Sequence, residues 1–305
     1  MRPEVCVVGS FMMDLVVRAT RRPEIGETLV GDSFEMFLGG KGFNQAVAAA
    51  RAGARTSMIG RVGADDFGKC FLDALGRDGI DAEYVTRDET LGTGVGLPLV
   101  ERGGANSIVI VPRANHAQDA GDVRAAKPAI EAAQIVLLQL ELPIEVALEA
   151  ARIARAAGRT VVLNPAPACD GGLGAFEGLV DYVVPNETEA ERLTGVSADG
   201  ANLRAAATAL IGQTGARGVV LTLGARGVAV YDGGNVVLLS SHSIECIDSV
   251  GAGDAFCGAL AAKLARGASL AEAARYGNAA GALACTRAGA EPSMPTAAEV
   301  DALLR

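Results

Sequence analysis

Histidine, tryptophan and paired cysteines are scarce or missing in this sequence. Among its 305 residues there is no tryptophan, and the two histidines, His116 and His242, lie far apart. None of the six cysteines forms a Cys-x-x-Cys pair with another. Because zinc sites need closely spaced cysteine and histidine ligands, we expect no zinc site. A general base, if the protein uses one, is expected to be a carboxylate.

Long apolar runs and an excess of basic residues are missing as well. No uncharged run approaches the roughly 20 residues that a membrane helix requires. The chain enters a strand-like segment at residues 5–8 without the basic and apolar regions of a secretion signal. Acidic residues outnumber basic ones by 36 to 27, which opposes nucleic-acid binding. We therefore expect a cytoplasmic protein with reduced thiols and with neither a membrane nor a nucleic-acid partner.

A Gly-Ala-Gly-Asp segment at residues 251–254 gives the strongest indication of a functional site. The apolar residues after it, such as Phe256 and Leu260, recur at helical spacing, so the segment is expected to open a helix. Glycines let the backbone approach a ligand, and the first-turn amides carry partial positive charge. This arrangement predicts an anion hole with Asp254 at its rim. The carboxylate then suits a base that takes a proton from a substrate hydroxyl. The alternative is a tight turn with a capping Asp.

A second glycine-rich segment, Gly-Gly-Lys-Gly-Phe-Asn at residues 39–44, precedes a predicted amphipathic helix. Glycines and a lysine at a helix start favour an anionic or hydroxylated ligand. The segment is not a Walker loop, and the sequence contains no complete Gly-x-Gly-x-x-Gly motif. Neither a P-loop nor a dinucleotide-binding fold is supported.

Buried strands alternating with helices predict an α/β protein with a parallel sheet. Asp14 follows the first predicted strand, where α/β proteins place ligand contacts, and the alternative is a solvated Asp in a loop. Four further polar residues lie near the carboxyl ends of predicted strands, and they are Glu141, Asn164, Asn186 and Thr222. Ligands bind at the carboxyl edge of such sheets, so these side chains are expected to meet there. For Asn186 and Glu189 the alternative is a helix capping box.

Strand-like segments at residues 28–37, 91–100 and 107–111 interrupt the alternation. We expect them to form a small separate sheet, a candidate lid, with its strands inserted within about residues 14–38 and 91–112. A helix is predicted over residues 120–133 despite Pro128. No linker divides the chain, so residues 1–305 are expected to form a single domain.

These motifs, in this order, resemble the ribokinase-like, or PfkB-type, carbohydrate kinase family over essentially the whole chain. The resemblance rests on Gly39-Gly40-Lys41-Gly42-x-Asn44 and on residues 248–254, with further similar segments at 164–168, 186–191, 222–227 and 286–293. It implies a three-layer α/β sandwich with a mostly parallel central sheet and a small β-sheet lid that also forms a homodimer contact. It implies ATP-dependent phosphorylation of a terminal sugar hydroxyl, with ribose at O5 as the first candidate.

The resemblance also implies roles for individual residues. Asp254 matches the catalytic base, and Gly251, Ala252 and Gly253 match the anion hole. The sugar contacts correspond to Met12, Asp14, Gly40, Lys41, Gly42, Asn44 and Glu141. The positions around ATP correspond to Asn186, Thr222, Leu223, Gly224, Ala225, Arg226, Gly227, Gly253 and Asn278, and Glu189 corresponds to the residue that organises Mg²⁺. A K⁺ site is implied at Asp248, Val250, Ala284, Arg287, Gly289 and Ser293, mainly through backbone oxygens.

Three positions depart from the family pattern. Met12 stands where many members carry a sugar-binding Asn, Phe43 where Ala is usual, and Arg113 where a Gly is usual. A large ring and a cation near the pocket would change its size or recruit an anionic group. The alternative is that Phe43 faces the core and Arg113 is solvated.

The substrate therefore stays open at this point. The rivals to ribose are 2-deoxyribose, another pentose or hexose, a sugar acid, and a nucleoside held in an apolar slot. A non-catalytic sugar-binding protein is the alternative from another class, and the intact Asp254 and glycine loop oppose it.

Overall fold

Thirteen strands lie within the ranges that the computed structural model describes, which are residues 4–103, 105–200 and 202–305. Position 104, in the second expected lid insertion, falls outside them. The strands are β1 (Val5–Val8), β2 (Met12–Ala19), β3 (Ser33–Gly39), β4 (Thr56–Gly63), β5 (Asp81–Asp88), β6 (Gly94–Glu101), β7 (Asn106–Val111), β8 (Ile135–Leu138), β9 (Thr160–Leu163), β10 (Tyr182–Val183), β11 (Gly218–Thr222), β12 (Val228–Asp232) and β13 (Asn235–Leu239).

Helices connect most of these strands. They are α1 (Lys41–Arg51), α2 (Asp66–Arg77), α3 (Ala114–Ala117), α4 (Ala120–Ala125), α5 (Lys127–Ala132), α6 (Ile144–Ala156), α7 (Glu187–Thr194), α8 (Leu203–Thr214), α9 (Ala252–Ala265), α10 (Leu270–Ala284) and α11 (Ala297–Leu303). None of the helices in the described ranges is long and apolar enough to cross a membrane.

The central sheet has nine strands in the order β13-β12-β11-β10-β9-β8-β1-β4-β5. Its strands are parallel except for the antiparallel pairs that β12 makes with β11 and β13. Along β1, Val5 and Val7 pack in one hydrophobic cluster and Cys6 and Val8 in another, because alternate side chains point to opposite faces. Helices α1, α2, α9 and α10 cover the first face, and α4 to α8 cover the second. This confirms the three-layer α/β sandwich.

A separate four-stranded sheet has the order β3-β2-β6-β7. It confirms the small sheet that was expected to stand apart from the main one. Strand β2 was not predicted, and it carries Asp14, which sequence analysis placed just past the first strand. Strand β3 begins at Ser33 rather than near residue 28, because its partner β2 ends at Ala19, one residue past the Arg18–Ser33 pair.

The single helix predicted over residues 120–133 is wrong, because the chain forms α4 and α5 there. Pro128 lies in the first turn of α5. A proline has no amide hydrogen to donate, but first-turn amides have no partner within the helix, so the position tolerates it. The break therefore falls immediately before the proline's turn.

Candidate active site

A cavity of about 220 Å³ opens at the carboxyl edge of the central sheet. It is lined by Lys41, Asn164, Ala166, Val184, Asn186, Glu189, Thr222, Ser249, Gly251, Gly253, Asp254 and Cys257. Strand ends β9, β10 and β11 contribute to it, together with the starts of α1, α7 and α9. The two glycine-rich segments, some 210 residues apart along the chain, thus meet at one cavity.

Helix α9 begins at Ala252, directly after Gly251 in a left-handed conformation with φ 77° and ψ −5°. A Cβ on Gly251 would lie 3.0 Å from the Met294 side chain and 3.1 Å from Ala290, so both conformation and space favour glycine. A Cβ on Gly253 would meet nothing within 4 Å, because that side of the loop faces the open cavity. The backbone of this loop is therefore accessible to an anion at a helix amino terminus.

Asp254 is buried in the first turn of α9, with 7% of its surface exposed. Its Oδ2 accepts a hydrogen bond from Asn44 Nδ2 at 2.9 Å, and its Oδ1 accepts one from Gln45 Nε2 at 2.9 Å. The helix has no side-chain cap at Gly251, so the capping role considered for Asp254 is wrong. The carboxylate instead lies at the cavity wall, held by two amide donors from α1.

Lys41 brings a positive charge to the same cavity. Burial alone lowers the pKa of its ammonium group, but the carboxylates of Asp254, Glu141 and Glu189 outweigh that effect and raise the pKa. Its backbone N–H donates to Glu141 Oε2 at 2.8 Å, and Ser10 Oγ donates to the same oxygen. Lys41 therefore stays protonated beside these carboxylates at the start of α1.

Asp14 lies in the small sheet, between two glycines. A Cβ on Gly39 would lie 2.4 Å from Asp14 Oδ2, and one on Gly96 would lie 2.3 Å from Oδ1, so only glycine leaves room for this carboxyl. Burial, with a contribution from the Glu141 carboxylate, raises the pKa of Asp14 to about 6. Met12 pairs with Gly39 and Gly94 in the sheet, is 4% exposed and does not line the cavity.

Asn186 and Glu189 form the predicted capping box at the start of α7. The Glu189 N–H donates to Asn186 Oδ1 at 2.8 Å, and the Asn186 N–H donates to Glu189 Oε2 at 2.9 Å. Both residues also line the cavity, so the capping box is compatible with a ligand-binding role, which stays a prediction. Burial raises the pKa of Glu189, with Asp254 adding to the effect while the Asn186 N–H and Lys41 oppose it.

Other residues assigned to ATP lie beside the cavity rather than in its lining. Residues 224–226 form a 3-10 turn that follows β11, and a Cβ on Gly227 would lie 2.0 Å from the Leu239 carbonyl oxygen. Asn278 Nδ2 donates to the Ser240 carbonyl at 2.8 Å. The turn and Asn278 thus both lie near the Leu239–Ser241 backbone.

The segments assigned to K⁺ converge behind the glycine loop. Asp248 Oδ1 accepts from the Val250 N–H at 3.0 Å, and Oδ2 accepts from the Gly289 N–H at 3.0 Å. The Ile247 N–H donates to the Cys285 carbonyl at 2.8 Å. Ser293 Oγ donates to the Ala290 carbonyl at 2.8 Å. The Asp248 carboxylate therefore ties the segment before α9 to the segment after α10.

Sequence reasoning gave no role to several polar residues at this site. Gln45 and Gln139 form hydrogen bonds that lead to Asp254, and Ser10 holds Glu141. Asn164 was placed at the sheet edge, but its contact with Gln45 was not foreseen. Cys257 lines the cavity one helical turn after Asp254, and this i, i+3 spacing is the signal that could have found it.

Like Met12, the other two departures from the family pattern do not line the cavity. Phe43 is fully buried and packs edge-on against Phe71, with ring centroids 4.9 Å apart. Arg113 Nη1 donates to the Thr93 carbonyl at 3.0 Å and lies 4.0 Å from Asp65. Phe43 therefore faces the core, and Arg113 is only partly solvated because it is hydrogen-bonded to the loop at Thr93.

Phosphoryl transfer to a hydroxyl needs donors for the transferring group, a base for the hydroxyl proton and a cation. The cavity offers all three, as a glycine loop at a helix amino terminus, a buried carboxylate and a lysine. The chain belongs to the pfkB family of carbohydrate kinases, whose family model matches residues 2–297. It is a carbohydrate kinase, as the two glycine-rich motifs and their order indicated.

Within this family, the chain is similar to kinases of ribose and deoxyribose. Ribokinase of Haemophilus influenzae is 38% identical over 302 residues, covering 98% of this chain and 97% of that protein. A deoxyribokinase of Salmonella typhi is 35% identical over 259 residues, covering 85% and 84%. Among solved structures, ribokinase of Arabidopsis thaliana complexed with ribose and ATP superposes with a TM-score of 0.92 at 32% identity, covering 100% of this chain and 99% of that one.

Proposed function

We propose that the protein transfers the γ-phosphoryl group of ATP to O5 of D-ribose, giving D-ribose 5-phosphate and ADP. The observation that carries this proposal is Asp254, whose buried carboxylate lies at the cavity wall beside the glycine loop of α9. The two ribokinases described above support ribose as the substrate, and the complex of one of them with ribose and ATP supports ATP as the donor.

In the proposed reaction the O5–phosphorus bond forms as the bond to the ADP oxygen breaks, and Asp254 takes the O5 proton. The loop amides of residues 251–253 hold the transferring group, and the Lys41 cation offsets its charge. Phosphoryl transfer depends on alignment more than on covalent help, so the fixed positions of these groups supply most of the effect. Asp14, Gly40, Gly42, Asn44 and Glu141 contact the sugar in this proposal. The buried Asn44 Oδ1 has no hydrogen-bond partner in the described chain, so it can accept a hydrogen bond from a sugar hydroxyl.

We propose that Mg²⁺ and K⁺ assist this reaction. Glu189 places a partly buried carboxylate in the cavity, which suits the hydrated Mg²⁺ that accompanies ATP. The backbone oxygens of Asp248, Val250, Ala284, Arg287 and Gly289, with the Ser293 hydroxyl, suit a monovalent cation behind the anion hole. Bound there, the two cations would neutralise phosphate charge.

The test is ADP release by the purified protein with Mg-ATP and a panel of acceptors, in K⁺ and again in Na⁺. The panel holds ribose, 2-deoxyribose, hexoses, sugar acids and nucleosides. We expect the highest kcat/KM with ribose and a higher rate in K⁺. Preferred turnover of another acceptor would overturn the ribose assignment, and equal rates in the two salts would overturn the role of K⁺.

The affinity for ribose should depend on pH through Asp14. Sugar hydroxyls donate to the ionised carboxylate, so the sugar binds the deprotonated form. Because the pKa of Asp14 in the free protein is raised to about 6, binding near that pH releases a proton. The Kd should be constant above about pH 7 and rise toward tenfold per pH unit well below pH 6. Calorimetric titrations from about pH 5 to 8 measure this change.

The matched control for that experiment is Asp14→Asn, which cannot ionise. Its affinity should be lower than that of the unchanged protein and should stay constant over the same pH range. If the Kd of the unchanged protein does not vary with pH, Asp14 does not bind the sugar.

We propose that the protein is a homodimer formed through the small sheet. The register places Met36 opposite Leu15 and Leu97 opposite Val109, so these residues share the face that points away from Asp14. On that face Phe34, Met36 and Val109 are exposed by 59%, 57% and 62%. A continuous exposed apolar face of this kind is typical of an interaction surface. The cytoplasmic location stays a prediction.

Val109→Asp should convert this dimer into a monomer, because the interface would have to bury an unpaired carboxylate. Sedimentation velocity at micromolar protein measures the change. The control is Val237→Asp, which alters an exposed valine of strand β13 in the central sheet and should leave the dimer intact. A Val109→Asp protein that still sediments as a dimer, or an unchanged protein that is a monomer, would refute the proposed interface.

A further inference from the structure

Two fully buried glutamines that do not line the cavity are connected to the catalytic carboxylate. Gln139 Nε2 donates to Gln45 Oε1 at 2.6 Å, and Gln45 Nε2 donates to Asp254 Oδ1 at 2.9 Å. Gln45 has no exposed surface and Gln139 has 2%. Neither glutamine lines the cavity, so neither has a direct part in the reaction proposed above. Any influence they have on it must pass through Asp254.

The hydrogen bonds fix which end of the Gln45 amide faces Asp254. A carboxylate accepts hydrogen bonds, so it must face the NH₂ group. That orientation leaves Oε1 on the other side, where Gln139 donates to it. Rotation of the amide by a half-turn would set an oxygen against the Asp254 carboxylate and a donor against the Gln139 donor. Gln139 therefore keeps the donor end of Gln45 directed at Asp254.

A second contact fixes the same amide from the side of strand β9. Gln45 Nε2 also donates to Asn164 Oδ1 at 3.0 Å, while Asn164 Nδ2 donates to the Val184 carbonyl at 2.7 Å. Both hydrogens of the Gln45 NH₂ group are thus in use, and its oxygen is in use as well. A buried amide whose hydrogen bonds are all made is held rigidly, and this applies to Gln45, whereas Gln139 Oε1 is buried without a hydrogen-bond partner in the described part of the chain.

Close packing of α1 against α9 brings Gln45 within reach of Asp254. A Cβ on Gly258, one turn after Asp254, would lie 2.4 Å from the Gln45 carbonyl oxygen and 2.6 Å from the Ala48 side chain. Only glycine at that position allows the two helix backbones to approach so closely. The close packing of α1 against α9 therefore sets the contact between Gln45 and Asp254.

We infer that Gln139 and Gln45 are positioning residues that hold the Asp254 carboxylate in the orientation needed to take the substrate proton. This inference rests on the proposed function of Asp254. The other charged or titratable groups that face Asp254 are Lys41, Glu189 and Cys257, and none of them donates a hydrogen bond to it among the bonds described here. Asn44 supplies the second donor, so loss of Gln45 leaves the carboxylate held at one oxygen only.

Gln45→Leu should lower kcat by about 10–100-fold, because a displacement of about 1 Å of a catalytic group costs that much. The KM values for ribose and ATP should change by less than about threefold, since the ligand contacts remain. Gln139→Leu, two residues removed from the substrate, should lower kcat by about 3–10-fold with the same unchanged KM values. The control is Gln213→Leu, whose side chain bonds the Leu173 N–H and the Leu193 carbonyl far from the cavity. Steady-state kinetics with thermal unfolding of all four proteins separates positioning from stability.

A kcat that is unchanged in Gln139→Leu, or a kcat loss matched by Gln213→Leu, would overturn the inference. If Gln45→Leu does not fold, Gln139→Leu decides the question, because it leaves every contact of Asp254 formally in place. A drop in ligand affinity instead of kcat would also overturn it.

A readout without turnover separates this inference from the proposed function. The side-chain NH₂ resonances of Gln45, assigned by their loss in Gln45→Leu, should shift in Asp254→Asn and in Gln139→Leu but not in Gln213→Leu. If the unchanged protein phosphorylates no acceptor while these shifts occur, the proposed function fails and the hydrogen-bonded chain stands. Absence of the shifts refutes the chain whatever the activity.

Discussion

Asp254→Asn is expected to lower kcat by about 10²–10⁴-fold, which is the usual contribution of a general base. The amide cannot take the substrate proton, and its NH₂ group would face the donor of either Asn44 or Gln45, so one of these two hydrogen bonds would be lost. Binding of ATP should persist, because the loop amides and Lys41 are unchanged. Initial-rate kinetics gives kcat, and calorimetry with a non-hydrolysable ATP analogue gives the affinity.

Asp73→Asn is the matched control for this variant, because it changes an exposed Asp on the surface of α2. It should leave both kcat and the affinity for the analogue unchanged. An Asp254→Asn protein that keeps more than about a tenth of the rate would show that another group takes the proton.

The second large effect is expected from Phe43→Ala, which should destabilise the fold by about 3–5 kcal/mol, as other buried Phe to Ala changes do. Phe43 has no exposed surface and packs between Phe11 and Phe71, with centroid distances of 5.9 and 4.9 Å. Alanine would leave a void that these rings cannot fill without moving. Denaturant unfolding monitored by circular dichroism measures the loss.

Phe43→Leu keeps most of the buried volume and should lose clearly less stability than Phe43→Ala. Because Phe43 faces the core and not the cavity, the order of preference among sugars and nucleosides should stay the same in both variants. A change in that order, with little loss of stability, would mean that the ring shapes the sugar pocket.

The local motifs carried most of the information about the site. Residues 251–254 predict a helix amino terminus through their own conformational preferences. The capping box of Asn186 and Glu189 is also recognisable from a short stretch of sequence. The alternation of buried strands and helices predicted an α/β protein with a parallel sheet, while the three-layer sandwich was implied by the resemblance to the carbohydrate kinase family. Strand β2 escaped prediction because its residues have mixed polarity and are held by pairing with β3 and β6, which local sequence does not encode.

The contacts between distant segments could not be predicted in this way. Gln45 and Gln139 are 94 residues apart, and nothing in either segment points to the other. Whether Phe43 and Arg113 lie at the ligand pocket stayed open for the same reason. Their orientation depends on how α1 and the loop before α3 pack against the rest of the fold.

Arg113 shows how a departure from the family pattern is accommodated. It has a positive φ of 48°, which favours glycine, and such backbone strain costs on the order of 1–3 kcal/mol. Its guanidinium donates to the Thr93 carbonyl and lies over Gly92, where a Cβ would be only 1.6 Å from Nη2. Glycine at position 92 thus makes room for the arginine that replaced glycine at 113.

The hydrogen bond between Asn44 and Asp254 joins residues that are 210 positions apart. At ribosomal rates of about 5–20 residues per second, α9 emerges roughly 10–40 s after α1. During that interval α1 lacks the face of α9, and Asn44 and Gln45 lack the Asp254 carboxylate to which they donate. The core between the two helices and the catalytic centre must therefore form in the same late step of folding, so that a partly synthesised chain has no competent site.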